Sequence, residues 1–205
     1  MSIATYDELK SAIADFLNRD DLTSVIPTFI ALAEADMNRK LRHWRMERRS
    51  TALLDTRYTS LPQDFIDAVR LQLTGPGGVQ RLELISNGEL MDKRALVDTA
   101  GKPRFYTIND GAIESYPEPD QDYNLEMIYI GSLPDLQTNS TNWLITYHPD
   151  CYLYGALMHS APYLQEDPRT QTWAALYKNA VDGINLEDDK AKTSGSGHRM
   201  RIRSF

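Results

Sequence analysis

The stretch FYTINDGAIESY, residues 105–116, decides the class of fold. Two short apolar runs flank Asn109-Asp110-Gly111, where a glycine can adopt the left-handed conformation that a tight hairpin turn requires. The segment therefore predicts two antiparallel strands, Phe105–Ile108 and Ala112–Tyr116. The surrounding residues, from about 51 to 147, have a similar composition: they contain seven of the 11 glycines and six of the 10 prolines, which separate short apolar runs.

The same middle third contains further strand signals. Val69–Leu73 and Val79–Leu84 flank a glycine-rich turn, which predicts a second hairpin. The alternating side chains of Tyr123–Ile130 predict another strand. A short helix is predicted around Gly88–Ala95. The middle of the chain is therefore expected to be rich in β-structure.

Helical spacing dominates the first 45 residues. Thr5-Tyr-Asp-Glu8 has the spacing of a capping box, in which the hydroxyl and the carboxylate bind free amides at the start of a helix. A second apolar stripe runs from Ile26 through Met37 and Leu41 to Trp44, in steps of three or four residues. Two helices are therefore expected before the β-rich part.

Helical spacing returns after His148. Pro149 suits the first turn of a helix, and Gly155 within that helix allows a neighbouring helix to approach closely. Asp167-Pro168 has the pattern of a cap followed by a proline at the first helical position, and Trp173 to Ile184 continues with helical spacing. Two more helices are therefore expected here.

This order of elements predicts an α+β fold, in which a four-helix bundle built from both chain ends carries an inserted β-rich domain. The predicted parts are an N-terminal helical half (1–50), a β-rich insertion (51–147), a C-terminal helical half (148–189) and a flexible basic tail (190–205).

Charge is distributed unevenly along the 205 residues. The net charge is −7, but residues 190–205 contain five basic side chains and no acidic one, so residues 1–189 carry −12. A body that acidic repels DNA, which argues against nucleic-acid binding through the general surface.

The hydropathy pattern predicts an intracellular protein without a membrane span. The mean hydropathy is −0.47, no apolar run reaches about 20 residues, and the first residues do not resemble a signal peptide.

The basic tail has two interpretations. Ser194–Gly197 has the composition of a flexible linker, and beyond it arginines alternate with apolar residues as in an extended peptide. The tail is either a disordered, solubilising end or a peptide that orders on a partner, by adding a strand or filling a groove.

A second basic run lies within a predicted folded segment. It is either a solvated helix face with Trp44 in the core or a contact with an acidic neighbouring subunit. Its arginines, the candidate intersubunit residues, are Arg39, Arg42, Arg45, Arg48 and Arg49.

No catalytic constellation is predicted, and neither is a cofactor or metal site. The chain has no phosphate-binding loop of the Gly-Lys-Ser/Thr type and no Gly-x-Ser-x-Gly motif. Its single cysteine, Cys151, excludes an internal disulfide. His148, Cys151 and His159 leave a metal-dependent hydrolase as an alternative, although two ligands three residues apart do not make a zinc site. Two groups of acids lie close together in sequence, and we expect both at the surface: Asp64 with Asp67, and Glu187 with Asp188 and Asp189.

Four stretches, in this order, resemble the head-to-tail adaptor proteins of tailed bacteriophages, similar to the tail tubular or gatekeeper adaptors of short-tailed phages. They are the helix Phe29–Arg42 continuing to Glu47, then Leu61-Pro-Gln-Asp-Phe-Ile66, then Pro103–Ile113 with Tyr116-Pro-Glu-Pro-Asp120 and Tyr123–Ile130, and last Tyr154-Gly-Ala-Leu157 with Asp167-Pro168 and Trp173 to Tyr177. Together they cover nearly the whole chain.

The resemblance implies a non-enzymatic virion protein, made in the host cytoplasm and located at the head–tail interface. It implies a ring of twelve subunits that binds the portal protein above and a tail nozzle or tail tube protein below, and that genomic DNA crosses without specific binding. The C-terminal segment would reach the portal, so the candidate docking residues are Lys192, Arg199, Arg201, Arg203 and Phe205. Two alternatives stay open: a head-completion or neck protein of a long-tailed phage, and a DNA-binding accessory protein that uses the basic tail.

Overall fold

The computed structural model of the chain describes residues 3–75, 78–164 and 168–193. It is a mixed α+β structure with two sheets, which confirms the predicted class. In chain order the elements are α1 (Tyr6–Leu17), α2 (Ile26–Lys40), β1 (Glu47–Leu54), β2 (Tyr58–Ser60), β3 (Phe65–Gly75), β4 (Gly78–Arg81), β5 (Glu83–Leu84), α3 (Asn87–Leu96), β6 (Phe105–Asn109), β7 (Ala112–Tyr116), β8 (Tyr123–Gly131), α4 (Leu136–Asn139), α5 (Trp143–Tyr147), α6 (Pro149–His159) and α7 (Arg169–Thr193).

The chain divides into two compact units. The helical unit consists of residues 1–45 together with residues 133 onward, and the β unit consists of residues 46–132. The sequence placed the β-rich insertion at 51–147, whereas β1 already begins at Glu47 and the short helices α4 and α5 belong to the helical unit. Glycine and proline mark turns, and they do not reveal which unit a short helix packs against.

The helical unit is organised around α6, which contacts α1, α2, α5 and α7. Gly155 on α6 makes the closest approach: a Cβ placed there would lie 3.1 Å from Met37 Cε and 3.1 Å from Tyr177 Cε2. Each of these three helices also buries apolar side chains, among them Ala33 and Met37 on α2, Ala156 on α6, and Tyr177 and Val181 on α7.

The predicted capping box of α1 is confirmed. Glu8 N donates to Thr5 Oγ1, and the Glu8 carboxylate accepts hydrogen bonds from the amides of Ala4 and Thr5. The helix ends at Leu17, because Asn18 adopts a left-handed conformation with φ 53°.

The second helix is shorter than its apolar stripe predicts. It ends at Lys40, Leu41 is extended, and Trp44 lies in a separate short 3-10 helix with 42% of its surface exposed. The expectation that Trp44 lies in the core is therefore wrong. Helical spacing continues to Trp44 in sequence, but the chain leaves the helix three residues earlier.

The β unit is a sandwich of two four-stranded sheets with strand orders β1-β8-β3-β4 and β2-β7-β6-β5. Both predicted hairpins form: β3 pairs antiparallel with β4, and β6 pairs antiparallel with β7. In the second hairpin Asp110 and Gly111 have φ of 45° and 73°, as a tight hairpin turn requires. Its core takes residues from both sheets, namely Leu54, Leu71, Leu73, Leu82, Tyr106, Ile113, Leu125, Met127 and Tyr129.

The last described helix, α7, runs to Thr193. The sequence placed the end of the folded body at Asp189 and the start of the tail at Lys190, so the described helix extends four residues further. The predicted cap at Asp167 and the linker at 194–197 lie outside the described residues.

Candidate interaction surfaces

Arg45 lies between two exposed aromatic rings of the helical unit. Its guanidinium carbon is 4.5 Å from the ring centre of Trp44 and 4.2 Å from that of Tyr147. Both rings are more than 40% exposed. Arginine, tryptophan and tyrosine are enriched at the energetic centres of protein interfaces, and we call these three residues the Arg45 cluster.

Two buried side chains accept hydrogen bonds from the backbone of the Arg45 cluster. The His43 ring is buried and stacks on Trp143 with their centres 4.8 Å apart, and its Nδ1 accepts a hydrogen bond from the Arg45 amide at 3.2 Å. Burial lowers the pKa of His43, which favours the neutral ring that can accept this bond. The Trp44 amide donates to Oδ1 of the buried Asp188 at 2.6 Å.

Two other arginines of the predicted intersubunit set lie near the end of α2. Arg39 is exposed and pairs with Asp36 at 3.0 Å. Arg42 turns back and donates to the carbonyl oxygens of Leu41 at 2.7 Å and Asn38 at 3.1 Å. Arg42 therefore satisfies free carbonyls at the helix end, which is a local structural role.

The remaining two arginines lie in the β unit, on opposite faces of β1. Arg48 binds the Asp64 carboxylate and donates to the Ser132 carbonyl at 3.1 Å. Arg49, on the other face, is largely exposed and pairs with Glu126 at 3.0 Å. Asp64 also accepts a hydrogen bond from Tyr129, so this acid belongs to an internal network as well as to the surface.

Two acids on α2 are buried, and their pKa values move in opposite directions. Glu34 accepts hydrogen bonds from the Leu136 amide at 2.9 Å and the Tyr152 hydroxyl at 3.3 Å, and burial raises its pKa. Burial also acts on Asp36, but hydrogen bonds from Lys40 and Tyr177 outweigh it and lower the pKa. The directions differ because both hydrogen-bond donors to Glu34 are neutral, whereas Asp36 also pairs with the cations Lys40 and Arg39.

The titratable residues considered for metal or hydrolytic chemistry do not form a site among the described residues. Burial raises the pKa of Cys151 to about 12, so its thiol is protonated at neutral pH. Burial lowers the pKa of His159, and His148 Nε2 lies 3.5 Å from Glu187. Within 3–75, 78–164 and 168–193, no group of three histidine, cysteine or acidic side chains is placed to hold a metal.

A groove of about 420 Å³ lies between the end of α2, α6 and α7. Its floor is apolar and its rim is charged. The lining residues are Lys40, Met158, Ala174, Tyr177, Lys178, Val181, Asp182 and Asn185.

The described part of the predicted docking tail is the end of α7. Lys192 pairs there with Asp188 at 2.8 Å. Arg199, Arg201, Arg203 and Phe205 lie outside the described residues.

A family model described as "SU10 adaptor protein" matches residues 4–201, nearly the whole chain. The chain belongs to the SU10 adaptor protein family. The resemblance to phage head-to-tail adaptors is thereby confirmed. The comparison with curated proteins finds no match.

As an SU10 adaptor family member, the chain is a bacteriophage structural protein and a component of the virion. The family implies interaction with the portal and tail proteins of the phage. None of the helices in the described part is long and apolar enough to cross a membrane.

Sequence reasoning missed two features of this adaptor. It expected Asp188 to be a surface acid, but Asp188 is buried and binds the Trp44 amide. It also gave no role to Tyr147, which completes the Arg45 cluster. The sequence could have predicted the burial of Asp188, because this residue continues the stripe of Tyr177, Val181 and Ile184 in steps of four, three and four. It holds no comparable signal for Tyr147.

Proposed function

We propose that the chain is a head-to-tail adaptor that forms a ring of twelve subunits below the portal, extends the DNA channel and supports attachment of the tail. The observation that carries this proposal is the family match over residues 4–201. The acidic body supports it, because a negatively charged wall lets DNA slide without sticking. In this arrangement α1, α2, α6 and α7 would pack as one bundle and form the body of the ring.

The ring needs one heterologous contact that repeats until it closes. Of the five candidate arginines, two bind groups within their own subunit: Arg42 binds carbonyls at the end of α2, and Arg48 binds Asp64 and the Ser132 carbonyl. Arg39 and Arg49 are largely exposed, and Arg45 is held between exposed rings. We assign the arginine contribution to the intersubunit contact to these three.

The tail is proposed to dock on the portal. Its arginines alternate with apolar residues, which suits an extended peptide in a groove lined with carboxylates. Twelve tethered tails would bind a symmetric partner far more tightly than one tail binds a single site. The proposed docking residues are Lys192, Arg199, Arg201, Arg203 and Phe205.

A truncation tests this docking. The cut belongs after Thr193, because α7 and its Lys192–Asp188 ion pair then stay intact. The full chain is expected to form rings on the purified portal protein of the same phage, visible by electron microscopy, and the truncated chain to bind portal at least tenfold more weakly. Replacing Arg199, Arg201 and Arg203 by alanine should have a similar effect, whereas replacing Ser194 and Ser196 by alanine should not. Portal binding at full strength by the truncated chain would overturn tail docking, and a full chain that forms no ring on portal would overturn the proposed ring.

The basic tail also makes DNA binding the second candidate, because residues 190–205 contain no acid. If all five basic side chains contact duplex phosphates, the logarithm of the DNA-binding constant should fall with the logarithm of salt concentration with a slope of about −4 to −5. The absence of measurable binding at low salt would exclude this role.

A further inference from the structure

One outer surface of the β unit is basic and apolar. In the sheet β1-β8-β3-β4, residues that alternate with the core residues point away from the sandwich, and the register places Leu53, Asn124, Thr74 and Val79 in one row across it. Leu53 is 52% exposed and Val79 is 61% exposed. We call this outer surface the sheet face.

The sheet face carries three arginines and three acids, and the arginines predominate in the rows nearest to Leu53 and Val79. Arg70 and Arg81 are exposed and form no ion pair with any described residue. Arg49 is the third arginine, and it shares Glu126 with Gln72. Glu126 is thus neutralised within the face. The other two acids, Glu47 and the exposed Asp67, both pair with Ile130 and lie at the margin of the face, where β1 begins. Away from that margin, the sheet face therefore offers apolar side chains flanked by an excess of positive charge.

Helix α3 covers the opposite side of the β unit. Lys93 lies 4.6 Å from the ring centre of Phe105, and Arg94 pairs with Glu114 at 2.8 Å. Phe105 and Glu114 alternate along their strands with the core residues Tyr106 and Ile113, so they lie on the outer side of their sheet. The sheet face and α3 are therefore separated by the two sheets of the sandwich.

The outward side of α3 is apolar and acidic. Leu90 is buried, and the side chains on the opposite side of the helix include Asp92 and Leu96, with Met91 at its flank. Leu96 is 84% exposed and Met91 is 49% exposed, so this side of the helix presents more than one large apolar side chain. Asp92 forms no ion pair within the described residues, and Glu89 pairs only with Lys93 at 3.4 Å. We call this surface the α3 face.

From these two surfaces we infer that the α3 face of one copy of this chain docks on the sheet face of a second copy. The inference rests on the proposed ring and names its contact in the β unit. Both faces expose large apolar side chains, and their unpaired charges have opposite sign. The two faces therefore attract each other, whereas two copies of the same face repel. Because the faces lie on opposite sides of one compact unit, the contact is head-to-tail, and such contacts repeat around a ring.

Cysteine cross-linking tests the pairing of the faces. Full-length Leu96→Cys and full-length Val79→Cys, mixed in equal amounts with and without portal, should form a disulfide-linked dimer on mild oxidation. Each variant alone should give little dimer, because a head-to-tail contact does not bring identical positions together. Cys151 does not compete, since it is buried and its pKa is raised to about 12. Leu186→Cys is the matched control: it is similarly exposed on α7, and its mixture with Leu96→Cys should give at least tenfold less dimer.

Charge reversal gives an independent test that needs no new cysteine. Asp92→Arg makes the α3 face basic, and Arg70→Glu with Arg81→Glu makes the sheet face acidic. Each reversed chain should assemble at least tenfold more weakly than wild type, because one of its two faces then repels its partner. A one-to-one mixture should recover assembly, since each reversed face meets a reversed partner in an alternating ring.

The outcomes separate this inference from the proposed function. If wild-type chains form rings on portal while no mixed cross-link appears and the charge reversals have no effect, the docking of these faces is wrong and the adaptor role stands. If the cross-link and the charge rescue appear but no ring forms, the docking is correct and the ring is wrong. If the reversals abolish only binding of the portal or the tail protein, those faces bind that partner and the inference is overturned.

Discussion

The backbone amide of Trp44 and the carboxylate of Asp188 are joined by a hydrogen bond of 2.6 Å, although 144 positions separate them in sequence. The other Asp188 oxygen lies 2.8 Å from Lys192 Nζ. Asp188 is buried, whereas the next residue, Asp189, is exposed. The carboxylate thus ties α7 to the turn after α2 and holds the Arg45 cluster in place.

Replacing Asp188 by alanine should lower the free energy of unfolding by about 2–3 kcal/mol, because it leaves the Trp44 amide without its acceptor and removes the ion pair with Lys192. Asp188→Asn keeps an acceptor oxygen and should cost less. Urea denaturation followed by tryptophan fluorescence measures both changes. Asp189→Ala is the matched control and should change stability by no more than about 0.5 kcal/mol. Equal losses for Asp188→Ala and Asp189→Ala would contradict the role of Asp188.

Sequence reasoning succeeded where local chemistry decides the structure. The capping box at Thr5 and Glu8 and the hairpin turn at Asp110-Gly111 depend on a few neighbouring residues, and both are found as predicted. It failed where distant contacts decide. Trp44 keeps helical spacing with α2, yet it lies in a separate short 3-10 helix, where its amide binds Asp188 from the far end of the chain.

The candidate surfaces show the same division. The arginines are evident as a basic run, but sequence does not reveal that Arg42 satisfies carbonyls at a helix end while Arg45 stacks on exposed rings. Those roles depend on where α2 ends. The acidic α3 face and the basic sheet face also escape a sequence reading, because strand order and register decide which side chains share a surface.

Glu34 should make the helical unit less stable as pH rises. Its pKa is raised by burial from the ordinary value of 4.5, so the native state holds a proton that the unfolded chain has already lost. The stability contributed by protonated Glu34 is fully present below about pH 4.5 and is lost as pH rises through the folded-state pKa. Relative to wild type, Glu34→Gln should therefore gain stability as pH rises above about 4.5, until the folded-state pKa of Glu34 is passed.

The measurement is the difference in unfolding free energy between Glu34→Gln and wild type at several pH values. In this difference, the pH-dependent contributions of titratable groups that both chains share cancel. Asp36→Asn should show the opposite trend, since ionised Asp36 is stabilised by Lys40 and Tyr177 and its pKa is lowered. Its contribution is present above about pH 3.8 and is lost as pH falls through the folded-state pKa. An exposed acid on α1, changed by Asp15→Asn, serves as the control. A flat difference for Glu34→Gln would show that its burial does not control this pH dependence.

The glycines of two packed helices should respond oppositely to a larger side chain. Gly183 on α7 has open space around its missing Cβ, so Gly183→Ala should stabilise the protein by about 0.5–1 kcal/mol through helix propensity. Gly155 on α6 is enclosed by Ala33, Met37 and Tyr177, so Gly155→Val should destabilise it by about 2–3 kcal/mol through overpacking. Thermal unfolding of the two variants beside wild type measures both. A Gly155→Val protein as stable as wild type would show that α2 and α7 can move apart at little cost.

The Arg45 cluster should contribute to subunit assembly more than to folding. Arg45→Ala removes the side chain that lies 4.5 Å from Trp44 and 4.2 Å from Tyr147 but keeps the backbone bond to His43, so the fold should change little. Ring formation on portal, measured by sedimentation, should weaken at least tenfold, because Arg45 and its two rings are the residue types that dominate interface energies. Tyr147→Phe keeps the ring and should assemble as wild type does, whereas Tyr147→Ala should not. If Arg45→Ala assembles normally while its unfolding free energy falls by more than 2 kcal/mol, the cluster is a structural device of the helical unit and not a contact between subunits.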